Sequence, residues 1–445
     1  MTTKHLARRY KFLLFSIVAS LCAIALSWKK AQPPVVSPSP LHAESRQLSD
    51  AVATAATDAI VVGTSANFKG TARTPSVELY RGSMAYFESV NRSGGVNGKR
   101  IEIRTYDDSY DPAKTIQNTI RLVEEDALLL FNYVGTPTVT RMLPLLNHYR
   151  DLDIQLFFPH TGAQPQRQFP YRDRVFNLRA SYDRETEGLV DKFVATNRKK
   201  IAIFYQADAY GRSGWNGVQR GLEKYGLDIL EEATYRRGAD YDTDLSEQVE
   251  LLRAVEPDAV IVVGSDKASA AFIRDARDAD WDVPISIVSF VNTPNLLSIL
   301  SQESRETGRD YDFNLVSSEV VPSYKDLSLP AVREYRNAID RYNPEPPQGF
   351  EFEGYRSPRY SHTSFEGFLN AKLLVEILKN TETKDGKYHR EALVEAAESL
   401  KDFDLGIGTP ISFNADDRQA LNTVYYTTVE NGRFVPLHDW EAWAE

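Results

Sequence analysis

From Asp58 onward, apolar positions follow two alternating patterns. Short runs such as AIVVGTSA (59–66), in which almost every residue is apolar, predict buried strands. Between them lie stretches with apolar residues three and four apart. VELYRGSMAYFESVN (77–91), with Leu79, Tyr80, Met84, Phe87 and Val90 on one face, predicts a helix. The alternation continues with strand RIEIRTYDD (100–108), helix 112–126, strand ALLLFNYVG (127–135), helix 137–149 and strand IQLFFPH (154–160). Strands separated by helices imply a mostly parallel sheet with right-handed crossovers.

The same rhythm restarts near residue 181. Helices are expected over 182–196, 211–225, 243–255 and 268–279, and strands over 199–207, 228–235, 258–265 and 285–291. Two successive α/β series predict two lobes. From Leu405 to Leu437 the pattern becomes strand-like, with turns at Asn414-Ala-Asp-Asp and Glu430-Asn-Gly.

The N-terminus differs from all of this. Lys4, Arg8, Arg9 and Lys11 precede an uncharged apolar run, Phe12 to Trp28, followed by Lys29 and Lys30. A basic segment before an apolar one is an export signature. As a helix the run would reach roughly 26 Å at about 1.5 Å per residue, so residues 1–32 are expected to be a signal peptide or a transmembrane anchor. Residues 33–57, with Pro33, Pro34, Pro38 and Pro40, read as a linker. The expected location is extracytoplasmic, in the periplasm or on the outer face of the cytoplasmic membrane, anchored by 12–28 if the segment is retained. The only Cys, Cys22, lies in the apolar run, so the exported body has neither thiol nor disulfide. The formal charge of −10 argues against a nucleic-acid partner, because phosphate binding needs clustered Lys and Arg.

The stretch SGGVNGKRIEIRTYDDSYDP (93–112) invites two chemical readings. Gly94, Gly95, Gly98 and Lys99 suggest a phosphate loop, but such a loop leads from strand to helix, and here a helix leads to a strand. Gly94 and Gly95 read instead as a helix stop and Asn97-Gly98 as a turn. Asp107, Asp108 and Asp111 suggest a cation, yet a calcium loop needs a glutamate twelve residues in, which is absent. Asp111-Pro112 is better read as a helix start. No metal and no cofactor are expected.

Seven stretches in one order carry a family resemblance: 82–126, FNYVGTPTVTRMLPLLN (131–147), LFFPHTGA (156–163), FNLRASYDRETEGLV (176–190), 201–226, 258–281 and SIVSFVNTP (286–294). Together they resemble the leucine/isoleucine/valine-type (branched-chain amino acid) solute-binding proteins of ABC transporters, over about 58–435. The resemblance implies the type I periplasmic binding protein fold: two Rossmann-like α/β lobes, three crossovers and a ligand cleft between them. The lobes would be 58–180 with 319–404, and 181–318 with 405–445, with crossovers near Ser181, Ser318 and Asp404.

Strand ends in open α/β sheets bind ligands against helix N-termini. ALLLFNYVG delivers Gly135, Thr136 and Thr138 to such a point, with Thr136 as N-cap and the Thr138 and Val139 N–H groups free. The resemblance adds the loop Pro159, His160, Thr161 and Gly162 on the same lobe, and Tyr210, Ser265 and Phe290 on the other. At the position of Phe290 the amino-acid binders carry an acid for the ligand's ammonium group. Phe290 cannot replace a buried charge pair, though it can stack.

The implied function is capture of a small solute, an amino acid, an amide or a related small carboxylate, by hinge closure and delivery to an ABC permease in the membrane. The body would be a monomer, touching the membrane only through its N-terminal segment. The alternative is a membrane-tethered sensor that signals through a partner protein. An enzyme is not expected, since no Gly-x-Ser-x-Gly elbow and no His pairing for zinc occur. The Pro- and aromatic-rich segment 343–363 reads as a surface insertion, or as a lid or docking loop.

Overall fold

The computed structural model describes residues 59–70, 72–350 and 355–444. The segments 1–32 and 33–57 lie outside them. The expectation of a transmembrane helix is corrected: among the described residues no helix is long and apolar enough to cross a membrane. The apolar run 12–28, on which that expectation rested, is outside the described residues.

The first sheet is formed by β1 (Ile60–Ala66), β2 (Ile101–Asp107), β3 (Leu129–Phe131), β4 (Leu156–Phe157) and β5 (Val175–Phe176). They are ordered β2-β1-β3-β4-β5 and all parallel. Three helices connect the first four strands: α1 (Thr74–Arg92), α2 (Pro112–Glu124) and α3 (Thr136–His148). Local chemistry sets the boundaries. Gly94 and Gly95 take φ values of 102° and 74°, and Gly95 N–H returns to Val90 O at 2.9 Å, which ends α1. Asn97 and Gly98, at φ 51° and 79°, turn the chain between Val96 and Lys99. The Asp111 carboxylate accepts from Ala113 N–H at 2.8 Å and caps α2.

The second sheet is built in a second series: α4 (Tyr182–Ala195), β6 (Ile201–Gln206), α5 (Ala209–Glu223), β7 (Glu232–Tyr235), α6 (Ser246–Arg253), β8 (Ala259–Val263), α7 (Asp266–Asp278), β9 (Ile285–Ile287), α8 (Thr293–Thr307) and β10 (Leu315–Glu319). The chain then returns to the first lobe through α9 (Pro330–Tyr342) and α10 (His362–Asn380), the hairpin β11 (Thr383–Lys384) and β12 (Lys387–Tyr388), then α11 (Arg390–Glu398). A second small hairpin, β13 (Phe403–Asp404) with β14 (Pro410–Ile411), precedes β15 (Tyr425–Glu430), β16 (Arg433–Pro436) and α12 (Trp440–Ala444). β15 and β16 complete the second sheet as antiparallel strands, in the order β16-β15-β10-β9-β8-β6-β7.

The last return is later than the expected crossover at Asp404. Leu405, Ile407, Ile411, Phe413 and Leu421 pack into the first lobe's core, and the chain rejoins the second sheet only at Tyr425. Of the strand-like stretch 405–421 only Pro410–Ile411 is a strand, and its apolar side chains complete the first lobe.

α10 lies against α1 with almost no space between backbones. A Cβ on Gly82 would stand 1.7 Å from Ser364 O, and one on Gly367 would stand 2.1 Å from Leu79 O. Ser83 Oγ donates to Gly367 O at 2.9 Å across the same contact. The segment after α9 is tied to α1 as well. The buried Arg81, paired with Glu78 at 3.0 Å, donates to Pro344 O, Pro358 O and Asn343 Oδ1, and Tyr355 donates to Glu78. Phe350 stacks on Phe68 with ring centroids 5.1 Å apart. The described parts of 343–363 are therefore tied to the first lobe, with Asn343, Glu345, Gln348, Arg356 and Arg359 exposed on its surface.

Candidate functional site

The carboxyl ends of the two sheets face each other, and one apolar cluster spans both lobes. It includes Ala66, Phe68, Tyr110 and Val134 from the first, and Tyr182, Tyr210 and Phe290 from the second. On the first lobe, Gly135 has φ 100° and sits where a Cβ would meet the Tyr110 ring at 2.2 Å, so only glycine fits there. Gly135, not Thr136, is the N-cap of α3; Thr136 is its first helical residue. Val139 N–H closes the first turn onto Gly135 O at 3.0 Å, which removes it from the pair of free N–H groups expected there.

Thr136 Oγ1 and Thr161 Oγ1 are 2.7 Å apart and join the two loops of the first lobe. Thr138 turns its hydroxyl back to Val134 O and Gly135 O, at 2.7 and 2.8 Å. Pro159 is buried beside His160. Gly162 O accepts from Tyr182 N–H at 2.8 Å, and a Cβ on Gly162 would meet that nitrogen at 2.5 Å. The two lobes touch there backbone to backbone.

On the second lobe, Tyr210 lies in the first turn of α5, two residues after the Asp208 cap, and its hydroxyl donates to Gly264 O at 3.0 Å. Ser265 is the N-cap of α7, and its N–H donates to Tyr235 Oη at 3.0 Å. Phe290 is 1% exposed and central. Its ring centroid is 4.9 Å from Tyr210, 5.6 Å from His160 and 6.4 Å from Tyr110. Tyr182 packs in turn against Tyr210, with ring centroids 5.2 Å apart. Thr136, His160, Thr161, Gly162, Tyr210 and Phe290 are thus brought together, while Ser265 stands behind Tyr235 and Thr138 faces its own backbone.

Three buried polar atoms in this wall have no hydrogen-bond partner: Tyr110 Oη, Tyr182 Oη and His160 Nε2. Gln206 lies near the first hydroxyl and Thr136 near the second, without completing a bond. Burial pushes Tyr182 up to about 12 and Tyr110 well above an ordinary phenol, so both remain neutral hydroxyls. Burial likewise lowers His160, with Glu366 opposing and Arg179 assisting.

Beneath the aromatic wall runs a charged network that the sequence reading missed. Arg179 lies just before the chain first passes between the lobes. Its guanidinium is 3.7 Å from Glu366 on α10 and 3.7 Å from Glu185 on α4. It also donates to Ser289 Oγ and lies 3.1 Å from His160 Nδ1. Glu185 accepts from Ser289 N–H, Ser289 Oγ and Ser318 Oγ at 2.9, 2.9 and 2.7 Å. Burial raises the Glu185 pKa against the pull of Arg179. Burial also opposes the Glu366 carboxylate, but Arg179 and His160 outweigh it and hold that pKa below its ordinary value. The sequence signal was Arg179 and Glu185 flanking the capping Ser181; nothing in 319–404, expected to belong to the first lobe, singled out Glu366.

The first lobe's Asp108 is a buried acceptor for Ser65, Tyr110 N–H and Thr115. Asp107 accepts from Phe68 N–H, Lys69 N–H and Ser109. Among the described residues no group of three or more His, Cys, Asp or Glu is placed to hold a metal ion.

Two α/β lobes, connected by three passages of the chain and facing each other across an aromatic and polar wall, define a type I periplasmic binding fold. The chain belongs to the periplasmic binding protein family, whose model matches residues 59–433. An amino acid binding protein of Pseudomonas aeruginosa is 23% identical over 221 residues, which are 49% of this chain and 57% of that protein. The chain therefore spans little more than half the length of that curated relative. Among solved structures, a possible leucine/isoleucine/valine-binding protein from Rhodopirellula baltica is similar, with a TM-score of 0.75 at 28% identity. That likeness covers 86% of this chain and 97% of the other. A branched chain amino acid ABC transporter from Thermus thermophilus, with bound valine, shares the fold at a TM-score of 0.72 and 15% identity, covering 85% and 95% of the two chains.

Proposed function

We propose that this protein is an extracytoplasmic solute-binding protein that closes its lobes over a small solute and delivers it to an ABC permease. The observation that carries the reading is the set of unpartnered atoms in the wall between the lobes. Tyr110 Oη and His160 Nε2 come from the first lobe and Tyr182 Oη from the second. Buried hydroxyls and ring nitrogens without partners are costly unless something hydrogen-bonds to them, and a bound solute does so. A ligand held by both lobes is retained only when they are closed, which makes capture and release a hinge motion.

The solute class follows from what the wall offers. Thr136, Thr161 and the α3 N-terminus suit a carboxylate or amide oxygen. Tyr110, Tyr210 and Phe290 suit an apolar or aromatic body. Phe290, packed among three rings, supplies no partner for an ammonium group at the position where the resembling amino-acid binders carry an acid. An amino acid, an amide or a related small carboxylate remains the class proposed, with those lacking a free ammonium group favoured. Mass spectrometry of the small molecule released on denaturing the purified protein, followed by titration calorimetry with that compound, tests the reading. One solute bound per chain is expected. A confirmed ligand whose affinity ignores both Thr136→Ala and Phe290→Glu would place the site elsewhere.

A further inference from the structure

A hollow of about 700 Å³ takes one wall from each lobe. On the second lobe stand Thr293, Leu297 and Ser301, a single face of α8, with Arg433 at the β15–β16 turn. On the first stand Tyr324 and Tyr360, both packed against that lobe's core, with Arg359 beside them. Lys325, on the passage after β10, completes it. None of these residues belongs to the cleft described above.

Unpaired hydroxyls open onto this space. Thr293 is 2% exposed, and its Oγ1 makes no hydrogen bond among the described residues. That oxygen is not sealed by its neighbours, unlike the unpartnered Nδ2 of Asn292 before it, so it opens onto the hollow that Thr293 lines. Tyr324 is half-buried, and its hydroxyl is likewise unpaired and unsealed. Burial pushes it up to about 12, so it stays a neutral donor. Ser298 and Ser301, further along α8, add two more free hydroxyls to the lining.

The lining carries three cations, Lys325, Arg359 and Arg433, and no acid. Arg359 is partly compensated, since its Nε donates to Asp340 at 2.9 Å. Asp312, whose Oδ2 is 4.0 Å from where a Cβ on Gly432 would stand, does not line the hollow. Lys325 Nζ donates to Phe434 O at 2.7 Å, which holds the ammonium against the hollow and leaves two of its three donors. The Arg433 guanidinium has no ion pair among the described residues, and it lies close enough to Lys325 to add to the effect of burial in lowering that pKa. Two cations held together without an acid repel each other, and an anion between them relieves the repulsion.

A phosphate monoester carries close to two negative charges at neutral pH and three strong acceptor oxygens. Lys325 and Arg433 match its charge, and the hydroxyls of Thr293 and Tyr324 are donors for its oxygens. Ser298 and Ser301 suit the hydroxyls of a sugar or polyol, and the rings of Tyr360 and Phe434 suit its C–H surface. The volume falls within the range of small-molecule sites.

We propose that this hollow is a second ligand site, for a phosphate monoester of a sugar or polyol. It goes beyond the solute reading and shares no residue with that cleft.

Titration calorimetry of the full chain with glucose 6-phosphate and glycerol 3-phosphate tests it, with glucose and inorganic phosphate as controls. At least one ester is expected to bind saturably, and both controls at least tenfold more weakly. Arg433→Gln changes an exposed side chain that has no partner to lose, and it should weaken the ester at least tenfold with the melting temperature unchanged. Thr293→Val should weaken it about fivefold, the scale of one lost hydrogen bond. The proposal is overturned if neither ester binds at millimolar concentration, or if glucose or inorganic phosphate binds as well as the esters. It is equally overturned if Arg433→Gln leaves the affinity unchanged; loss of binding in Phe290→Glu would in that case place the ester in the cleft.

Discussion

Replacing Arg179 by Met tests the charged network that joins the lobes. The substitution keeps most of the side chain's volume and removes the cation from between Glu185 and Glu366, all three being almost fully buried. Removing one partner of a buried ion pair costs about 3–5 kcal/mol, because a charge is left without compensation. Here two carboxylates lose the same cation, and Ser289 and His160 each lose a contact. A loss of about 3–5 kcal/mol at pH 8 is expected. The pH dependence has a definite sign. With Arg179 present, Glu366 is held below its ordinary value of 4.5. Burial already holds Glu185 above its ordinary value; without Arg179 it rises further, and Glu366 rises with it. The folded variant then holds more protons than the unfolded chain, so its stability grows as pH falls. The deficit should therefore shrink between pH 8 and pH 5. Urea denaturation followed by tryptophan fluorescence at both pH values measures it, and adding Glu366→Gln should restore part of the loss. A deficit below about 1 kcal/mol at pH 8, against the cost expected for a buried pair, would refute the account, as would one that grows toward pH 5.

Other parts of the molecule give independent tests. Thr136→Ala should weaken solute binding by about 1–2 kcal/mol, the scale of one lost polar contact, and Phe290→Glu should weaken it more by burying a charge among rings. Calorimetry with the co-purified solute decides, and a gain in affinity for Phe290→Glu would mean that the solute carries a free ammonium group. Asp108 is pushed by burial from 3.8 up to about 7, so its contribution to stability is full below pH 3.8 and is lost as pH rises through about 7. Asp108→Asn should flatten the stability profile across that window, and parallel profiles would contradict the assignment. Gly82→Ala should force α1 and α10 apart and lower stability by about 1–3 kcal/mol or more, read from urea midpoints; an unchanged midpoint would show that the helices yield freely. EDTA should leave the melting temperature unchanged, and a drop that calcium reverses would reopen the metal reading of Asp107, Asp108 and Asp111.

Local chemistry written in the chain accounts for much of the architecture. The two helix–strand series, the stop at Gly94-Gly95, the turn at Asn97-Gly98 and the cap at Asp111 need only a few neighbouring residues, so their signals survive in one dimension. Gly135 and Thr136 were legible as a strand end before a helix start, whereas Thr161 and Gly162 came from the family resemblance. α3 begins one residue earlier than expected because Gly135, at φ 100°, takes the cap that Thr136 was expected to supply.

What remained hidden depends on contacts between distant parts of the chain. The strand-like pattern of 405–421 says that one face is buried, not which lobe buries it; Leu405, Phe413 and Leu421 pack into the first lobe. Arg179 looks like any surface arginine until α4 and α10 bring Glu185 and Glu366 to it from opposite lobes. The sequence reading singled out neither Tyr110 nor Tyr182, and only the packing of the two lobes brings them into one cluster. Periodicity determines which face of an element is covered. Only tertiary structure decides what covers it, because a buried charge such as Arg179 is defined by residues as far along the chain as Ser289 and Glu366.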